Sequence, residues 1–251
     1  MDAIIMAGGK GTRLEPLTNA LPKPLLPICH KPLLEVMIRA LKAHGITDVT
    51  VTLGHKAESI RNYLRDGPSL GVNLKYFNEE RPLGTAGSLA LLSLKEGPFI
   101  VTVGDIVTDV DYSRLLKFHS QEGAIGTMVI CEKSINIPYG VLGIEKGPSN
   151  EIISFSEKPK ISFPIYTGIV VLEGRAVSYI QKDERIDMVE LFDRMKSEGE
   201  RIVAYNHDGQ WFDIGQTMQE YLMLNDDILS GKVSFSSPYS DILRGGISLG
   251  D

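Results

Sequence analysis

Two cysteines, one tryptophan and no apolar run long enough to span a bilayer set the first limits on this 251-residue chain. Cys29 and Cys131 are far apart and lack the paired spacing of a zinc site or a disulfide framework, so both are expected to be packing residues. The five histidines, His30, His44, His55, His119 and His207, show no metal-ligand spacing either. No excess of positive charge is present: 26 Lys and Arg against 32 Asp and Glu give a net charge of -6, which argues against a general nucleic-acid binder. The N-terminus lacks the charged start, long apolar stretch and small-residue cleavage site of a signal peptide. The expectation is a cytoplasmic chain with no membrane and no nucleic-acid partner. Neither a repeat nor a linker breaks residues 1–251, which read as one domain.

What is there alternates. Ala3 to Met6, Val49 to Leu53, Leu74 to Phe77, Phe99 to Val103 and Ile125 to Ile130 are short β-branched runs. Helical patterns separate them at 32–44, 57–65, 85–94 and 112–122. That order predicts an α/β fold with a mostly parallel sheet covered on both faces. Past Cys131 the rhythm changes: 139–145, 151–156 and 165–172 read as strands with little helix, an added β region forming one wall of a cleft. Helices return at 188–198 and 218–229, flanking a strand at 202–205. The segment 230–251 is small and polar and carries no readable signal.

The N-terminal strand runs into AGGKGTRLEPLTNALPKPLLPI, residues 7 to 28. Glycines at 8, 9 and 11 let an anion approach the backbone closely, and Lys10 and Arg13 add charge. A Walker-type loop needs a Gly-Lys-Ser/Thr ending that is absent. A dinucleotide fingerprint needs a glycine at Leu14 and an acid where Gly54 and His55 stand. The remaining readings are a loop facing a nucleoside triphosphate and a solvated turn with incidental charges. Lys23, held between Pro22 and Pro24, favours the first, because a backbone that cannot bend away aims an ammonium at a fixed phosphate. Asp105 follows the strand 99–103 and falls at the sheet edge where open α/β folds bind ligands, though a turn or cap aspartate is the plain alternative.

Met6-Ala7-Gly8-Gly9-Lys10-Gly11-Thr12-Arg13-Leu14, with Pro16-Leu17-Thr18 and Pro22-Lys23-Pro24, resembles the signature of sugar-phosphate nucleotidylyltransferases. Leu83-Gly84-Thr85-Ala86-Gly87, Gly104-Asp105, Tyr139-Gly140, Glu157-Lys158-Pro159, Gly168 and Trp211 with Asp213-Ile214-Gly215 recur in the family's order, so the resemblance covers nearly the whole chain. It implies a Rossmann-like three-layer sandwich, with a nucleotide-binding part over 1–131, a sugar-binding part over 132–229 and a C-terminal tail over 230–251. It also implies that a sugar 1-phosphate oxygen attacks the α-phosphorus of a nucleoside triphosphate and pyrophosphate leaves. Such a nucleophile arrives ionised, which suits a chain with no obvious catalytic triad.

By the same resemblance Arg13, Lys23 and Asp105 are catalytic. Ala7, Gly8, Gly9, Gly11, Thr12, Arg13, Glu80, Gly84, Thr85 and Gly87 bind nucleotide, and Tyr139, Gly140, Glu157, Lys158, Thr167 and Gly168 bind the sugar phosphate. Asp105 and Asp213 hold Mg²⁺. The run from Asn78 to Gly87 is similar to that of guanylyltransferases, and a carboxylate such as Glu80 can accept both donors on the Watson–Crick edge of guanine. UTP, dTTP or CTP is the alternative nucleotide. Two positions depart from the family: Val103 and Tyr166 stand where asparagines are usual, which opens the sugar to mannose, a heptose or an amino sugar. Asp109-Val110-Asp111 admits a metal-dependent glycosyltransferase instead, and a catalytically silent sensor of nucleotide sugars is a third reading. A homodimer is suggested by the resemblance alone.

Overall fold

The computed structural model describes residues 1–244. Strand β1 (Asp2–Ala7) leads through the turn α1 (Leu17–Ala20) and a small hairpin, β2 (Pro27–Ile28) and β3 (Lys31–Pro32), into helix α2 (Leu33–Ala43). Strand β4 (Asp48–Leu53), helix α3 (Ala57–Leu64), β5 (Asn73–Asn78), β6 (Pro98–Val103), β7 (Ile106–Thr108) and α4 (Tyr112–Glu122) follow. The second half runs β8 (Gly126–Asn136), β9 (Val141–Ile144), β10 (Ile152–Ser156), β11 (Lys160–Glu173), α5 (Met188–Ser197), β12 (Ile202–Asn206), β13 (Trp211–Asp213), α6 (Met218–Leu229) and α7 (Tyr239–Arg244).

Among the described residues the main sheet has seven strands in the order β12-β8-β11-β6-β1-β4-β5. All run parallel except β11, which is antiparallel to both β6 and β8. The mostly parallel sheet expected from the sequence is what forms. Its central strands are apolar throughout because both faces are covered. On β1, Ala3, Ile5 and Ala7 join the layer built on α2 and α3, whereas Ile4 faces the layer built on α5. Burying each such isoleucine is worth roughly 2 kcal/mol, so these strands are pinned in register by their own side chains.

Local chemistry sets the helix ends. Asp111 caps α4 by accepting the Arg114 N–H at 3.0 Å, and the helix stops at Gly123 in a left-handed conformation. Asp187 and Glu190 form a reciprocal capping box at the start of α5. The helix expected over 85–94 is only a short 3-10 turn at Gly87–Leu91. The Ala86 N–H is given to the Ile186 carbonyl at 3.1 Å, and Gly84 and Gly87 lie against the backbone of residues 184–187, so the segment is tied across the structure rather than along itself. Strands β8 and β11 also extend well beyond the ranges expected for them, pairing from Tyr166–Ile130 out to Lys160–Asn136.

The segment from 230, expected to carry no signal, packs into the core as far as it is described; residues 245–251 lie outside the described part. Phe235 and, on α7, Tyr239 and Leu243 are buried at four-residue spacing, and Phe235 stacks on Tyr239 with ring centroids 5.6 Å apart. Asp109 anchors this segment, accepting the Ser236 N–H at 2.8 Å and the Gln210 N–H at 2.7 Å. Burial opposes ionisation of Asp109, but His207 and these backbone donors outweigh it and hold its pKa down to about 2. Asp109 and Asp111 are thus an anchor and a helix cap. His119 is likewise a satisfied core histidine, between Thr127 at 2.7 Å and Glu173 at 3.2 Å. Cys29 and Cys131 are unpaired, and burial pushes both thiols up, away from the reactive thiolate.

Because the folded-state pKa of Asp109 is depressed, its stabilisation is present above the ordinary carboxylate range near pH 4 and fades as pH falls through about 2. Asp109→Asn should lower unfolding stability in urea at pH 7 by about 1–3 kcal/mol. The gap from wild type should close between about pH 4 and pH 2; a constant gap would mean the carboxylate charge is not what anchors the segment.

Candidate active site

Parallel neighbours β1 and β6 end side by side, with Met6 opposite Val103, so the loops that leave them emerge at the same edge. The Gly104 N–H binds the Met6 carbonyl at 2.8 Å and fixes the two exits against each other. From β1 comes the glycine loop, closed by the Leu14 N–H on the Gly11 carbonyl at 3.0 Å and by Thr18 Oγ1 on the same oxygen at 3.0 Å. Gly9, Lys10, Thr12 and Arg13 are exposed on it. Ala7 is buried beneath it, and Gly8 approaches the backbone of Gly54, where a side chain would strike the Gly8 carbonyl.

Lys23 starts a short 3-10 turn after Pro22 and reaches Asp105 Oδ2 at 2.6 Å. Its stem runs past Gly11 and Gly215; a Cβ on Gly215 would occupy the place of the ammonium. The lysine is therefore aimed by two proline neighbours and by the space two glycines leave. Asp105 is joined to the segment carrying Asp213: β13 pairs with β7 so that Asp213 lies opposite Ile106, and the Ile214 N–H binds the Asp105 carbonyl at 2.7 Å.

Gln216 was not singled out from the sequence. Its Oε1 accepts from Arg13 Nη1 at 3.2 Å, and its Nε2 donates to Asp213 Oδ2, so one amide links the loop arginine to the second carboxylate. The only sequence signal was its place directly after Asp213-Ile214-Gly215. Glu79, rather than Glu80, faces the glycine loop: its carboxylate lies against Gly8, half-buried, whereas Glu80 is exposed. Burial raises the Glu79 pKa, against hydrogen bonds from Ser88 and Leu83 that lower it. Thr85 is committed to α5, accepting the Met188 N–H at 2.7 Å, with its own N–H on Asp187 at 3.0 Å. Gly84 and Gly87 pack on residues 184–187 of the same segment.

On the other side, Tyr139, Gly140, Glu157 and Lys158 meet at the corner where β8 passes into β9 and β10 into β11. A Cβ on Gly140 would come within 3.3 Å of Glu157 Oε2, which places the two together. All four residues are exposed, and Lys158 has a left-handed backbone with φ 44°. Thr167 is buried, its hydroxyl on the Val129 carbonyl at 2.9 Å, and its own carbonyl accepts the Trp211 indole N–H at 2.8 Å. Gly168, at φ 86°, sits in the irregularity of β11 and packs directly on Val103. A cavity of about 500 Å³ opens beside Asp213 and Gln216, bounded by Trp211, Lys133 and Ile165.

Among the described residues no group of three or more His, Cys, Asp or Glu side chains is set to hold a metal. Asp105, in the turn before β7, and Asp213, on β13 paired with β7, still fit Mg²⁺, which takes one or two carboxylates and fills its shell with phosphate and water oxygens. At the carboxyl edge of an open α/β sheet, a glycine loop thus faces a lysine–aspartate pair.

The chain belongs to the nucleotidyl transferase family, whose model matches residues 2–231. It is 32% identical over 253 aligned positions to a UTP–glucose-1-phosphate uridylyltransferase of Synechocystis, covering 93% of this chain and 64% of that protein. It is 36% identical to a mannose-1-phosphate guanylyltransferase catalytic subunit beta of Danio rerio, covering 86% of this chain and 61% of that one. The chain thus spans less than two thirds of the length of these curated relatives. Among solved structures, HddC from Yersinia pseudotuberculosis superimposes with a TM-score of 0.69 at 25% identity, over 90% of this chain and 98% of that one. No helix of the described residues is long and apolar enough to cross a membrane.

The Gly168–Val103 contact is directly testable. Gly168→Ala should destabilise the fold by about 1–3 kcal/mol, through its positive φ and the clash with Val103. Adding Val103→Ala should recover part of that loss in a double-mutant cycle; strict additivity would remove the steric half of the explanation.

Proposed function

We propose that the chain condenses a nucleoside triphosphate with a sugar 1-phosphate, giving a nucleotide sugar and pyrophosphate. The observation that carries this is the Lys23–Asp105 pair at 2.6 Å, set at the sheet's carboxyl edge opposite the Gly8–Arg13 loop. The loop N–H groups of Gly9, Gly11 and Thr12 receive the triphosphate, and Arg13 takes the β- and γ-phosphates that leave. Lys23 exchanges its carboxylate partner for the α-phosphate and cancels the charge that builds there in the transition state. Asp105 and Asp213 would hold a magnesium ion, which would supply positive charge against the phosphate oxygens. Gln216 holds Arg13 and Asp213 at a fixed spacing.

The sugar phosphate enters from the corner of Tyr139, Gly140, Glu157 and Lys158. Glu157 accepts from sugar hydroxyls, Lys158 meets the phosphate, and Thr167 and Gly168 supply backbone beneath the ring. No residue needs to remove a proton, since the attacking phosphate oxygen is already ionised; the protein's part is to hold two mutually repelling anions in line. GTP is the proposed nucleotide: Glu79 and Glu80 follow β5, Glu79 lying against the loop at Gly8, and a carboxylate there can accept both the N1–H and N2–H of guanine. The sequence similarity to a guanylyltransferase supports this choice. A mannose-, heptose- or amino-sugar-type phosphate is the proposed partner.

Pyrophosphate release from each nucleoside triphosphate with a panel of sugar 1-phosphates should require both substrates and Mg²⁺ and be fastest with GTP. Asp105→Asn and Lys23→Ala should each cut kcat by on the order of 10²–10³-fold with the fold intact. Near-normal turnover in either variant, or release with one substrate alone, would sink the assignment. Gln216→Ala should raise the Mg²⁺ concentration needed for half-maximal rate, and an unchanged metal dependence would leave Gln216 without a role.

A further inference from the structure

The short helix α1 ends without the donors that its last carbonyls need. It runs from Leu17 to Ala20, and the backbone is already extended at Leu21. The helical partner of the Thr18 carbonyl would be the N–H of residue 22, but Pro22 stands there and has none. The Lys56 ammonium takes that place, donating to the Thr18 carbonyl at 2.8 Å and to the Asn19 carbonyl at 2.7 Å. Lys56 directly precedes α3 and has a left-handed backbone, with φ 55° and ψ 36°, which a residue with a side chain seldom adopts. Its neighbours hold the other end of the same loop. Gly54 packs on Gly8, and the His55 N–H binds the Gly8 carbonyl at 3.4 Å. Thr18 is itself buried, and its hydroxyl closes the loop on the Gly11 carbonyl at 3.0 Å. Residues 54–56, as they leave β4, thus fasten the Gly8–Arg13 loop at both of its roots. Among the described residues no carboxylate pairs with Lys56, so its charge stands uncancelled beside the loop.

We propose that Lys56 is a positioning residue for the nucleoside triphosphate. It holds the glycine loop in the shape that receives the phosphates and adds its charge to their attraction, without touching the reacting atoms. The inference rests on the reading of Gly8–Arg13 as the triphosphate seat. Anchoring from the exit of β4 acts on one substrate alone, because the corner proposed for the sugar phosphate lies on the β8–β11 arm. The loop is needed equally in the ground state and in the transition state. Its anchor therefore governs nucleotide affinity and KM rather than kcat.

Titration calorimetry with GTP and with UTP, each with Mg²⁺, reads nucleotide affinity without turnover; pyrophosphate release with mannose 1-phosphate supplies the kinetic constants. Lys56→Met should raise the nucleotide Kd and KM on the order of ten-fold, while kcat and the KM for the sugar phosphate change by less than about two-fold. Lys56→Arg should restore most of the affinity, since a guanidinium can serve both carbonyls. The defect of Lys56→Met should shrink as salt rises from about 50 mM to about 500 mM, because the charge contribution is screened. Thr18→Val, which leaves Lys56 in place and releases the Gly11 carbonyl, should show the same nucleotide-only defect, and the two changes should be non-additive. Unchanged nucleotide affinity in both variants would overturn the proposal. So would equal losses for both substrates together with a lower melting temperature, the signature of a merely structural brace. A wild type that binds nucleotide but releases no pyrophosphate removes the proposed reaction and not this inference, which the binding defect of Lys56→Met then supports or overturns alone. A wild type that binds neither nucleotide removes both.

Discussion

The structure depends on one juxtaposition: an ammonium and a carboxylate, Lys23 and Asp105, brought together at the end of two adjacent parallel strands. Neither comes from the other's neighbourhood in sequence, and each is aimed by its own local device. Prolines on either side of Lys23 and the missing side chains of Gly11 and Gly215 decide where the ammonium goes. The β6–β7 turn, locked by Gly104 to Met6 and by Ile214 to Asp105, decides where the carboxylate goes. In the proposed reaction such a pair offers an ammonium to phosphate and a carboxylate to a cation.

The proposed reaction asks a chain of net charge -6 to hold anions. Lys10 and Arg13 on the loop, Lys23, and Lys158 at the opposite corner set positive charge where the proposed substrates sit, so that attraction is local. In that proposal two polyanions are held from two sides: by the glycine loop on the parallel half, and by the exposed corner of the β8–β11 arm on the other. Val103 at the end of β6 and Gly168 in β11 form a close apolar contact.

The parallel core was legible because its strands are short, β-branched and buried on both faces, so tertiary context adds nothing that contradicts local preference. The segment 85–94 was not: its helical pattern is overridden by hydrogen bonds to residues 186–188, which no local rule contains. The outer halves of β8 and β11 mix polar residues with exposed apolar ones, and only their mutual pairing makes them strands. In the tail, Phe235, Tyr239 and Leu243 recur every four residues, but serines and Pro238 between them hid the stripe. At the site, the loop, Lys23 and Asp105 were readable because motif and position coincide. Gln216 was not, since its partners Arg13 and Asp213 meet only in the fold. Glu79 lies beside Gly8 while Glu80 is exposed, a matter of which way each faces after β5 ends, and the Glu79 N–H bond to the Leu53 carbonyl at 2.8 Å extends the β4–β5 pairing by one residue.

A crystal structure with a non-hydrolysable GTP analogue and manganese in place of magnesium reads the central juxtaposition most directly. The account predicts an anomalous manganese peak between Asp105 and Asp213, with the Lys23 ammonium moved from Asp105 onto the α-phosphate. A nucleotide bound away from the Gly8–Arg13 loop, with Lys23 still paired to Asp105 and no metal between the two carboxylates, would contradict it.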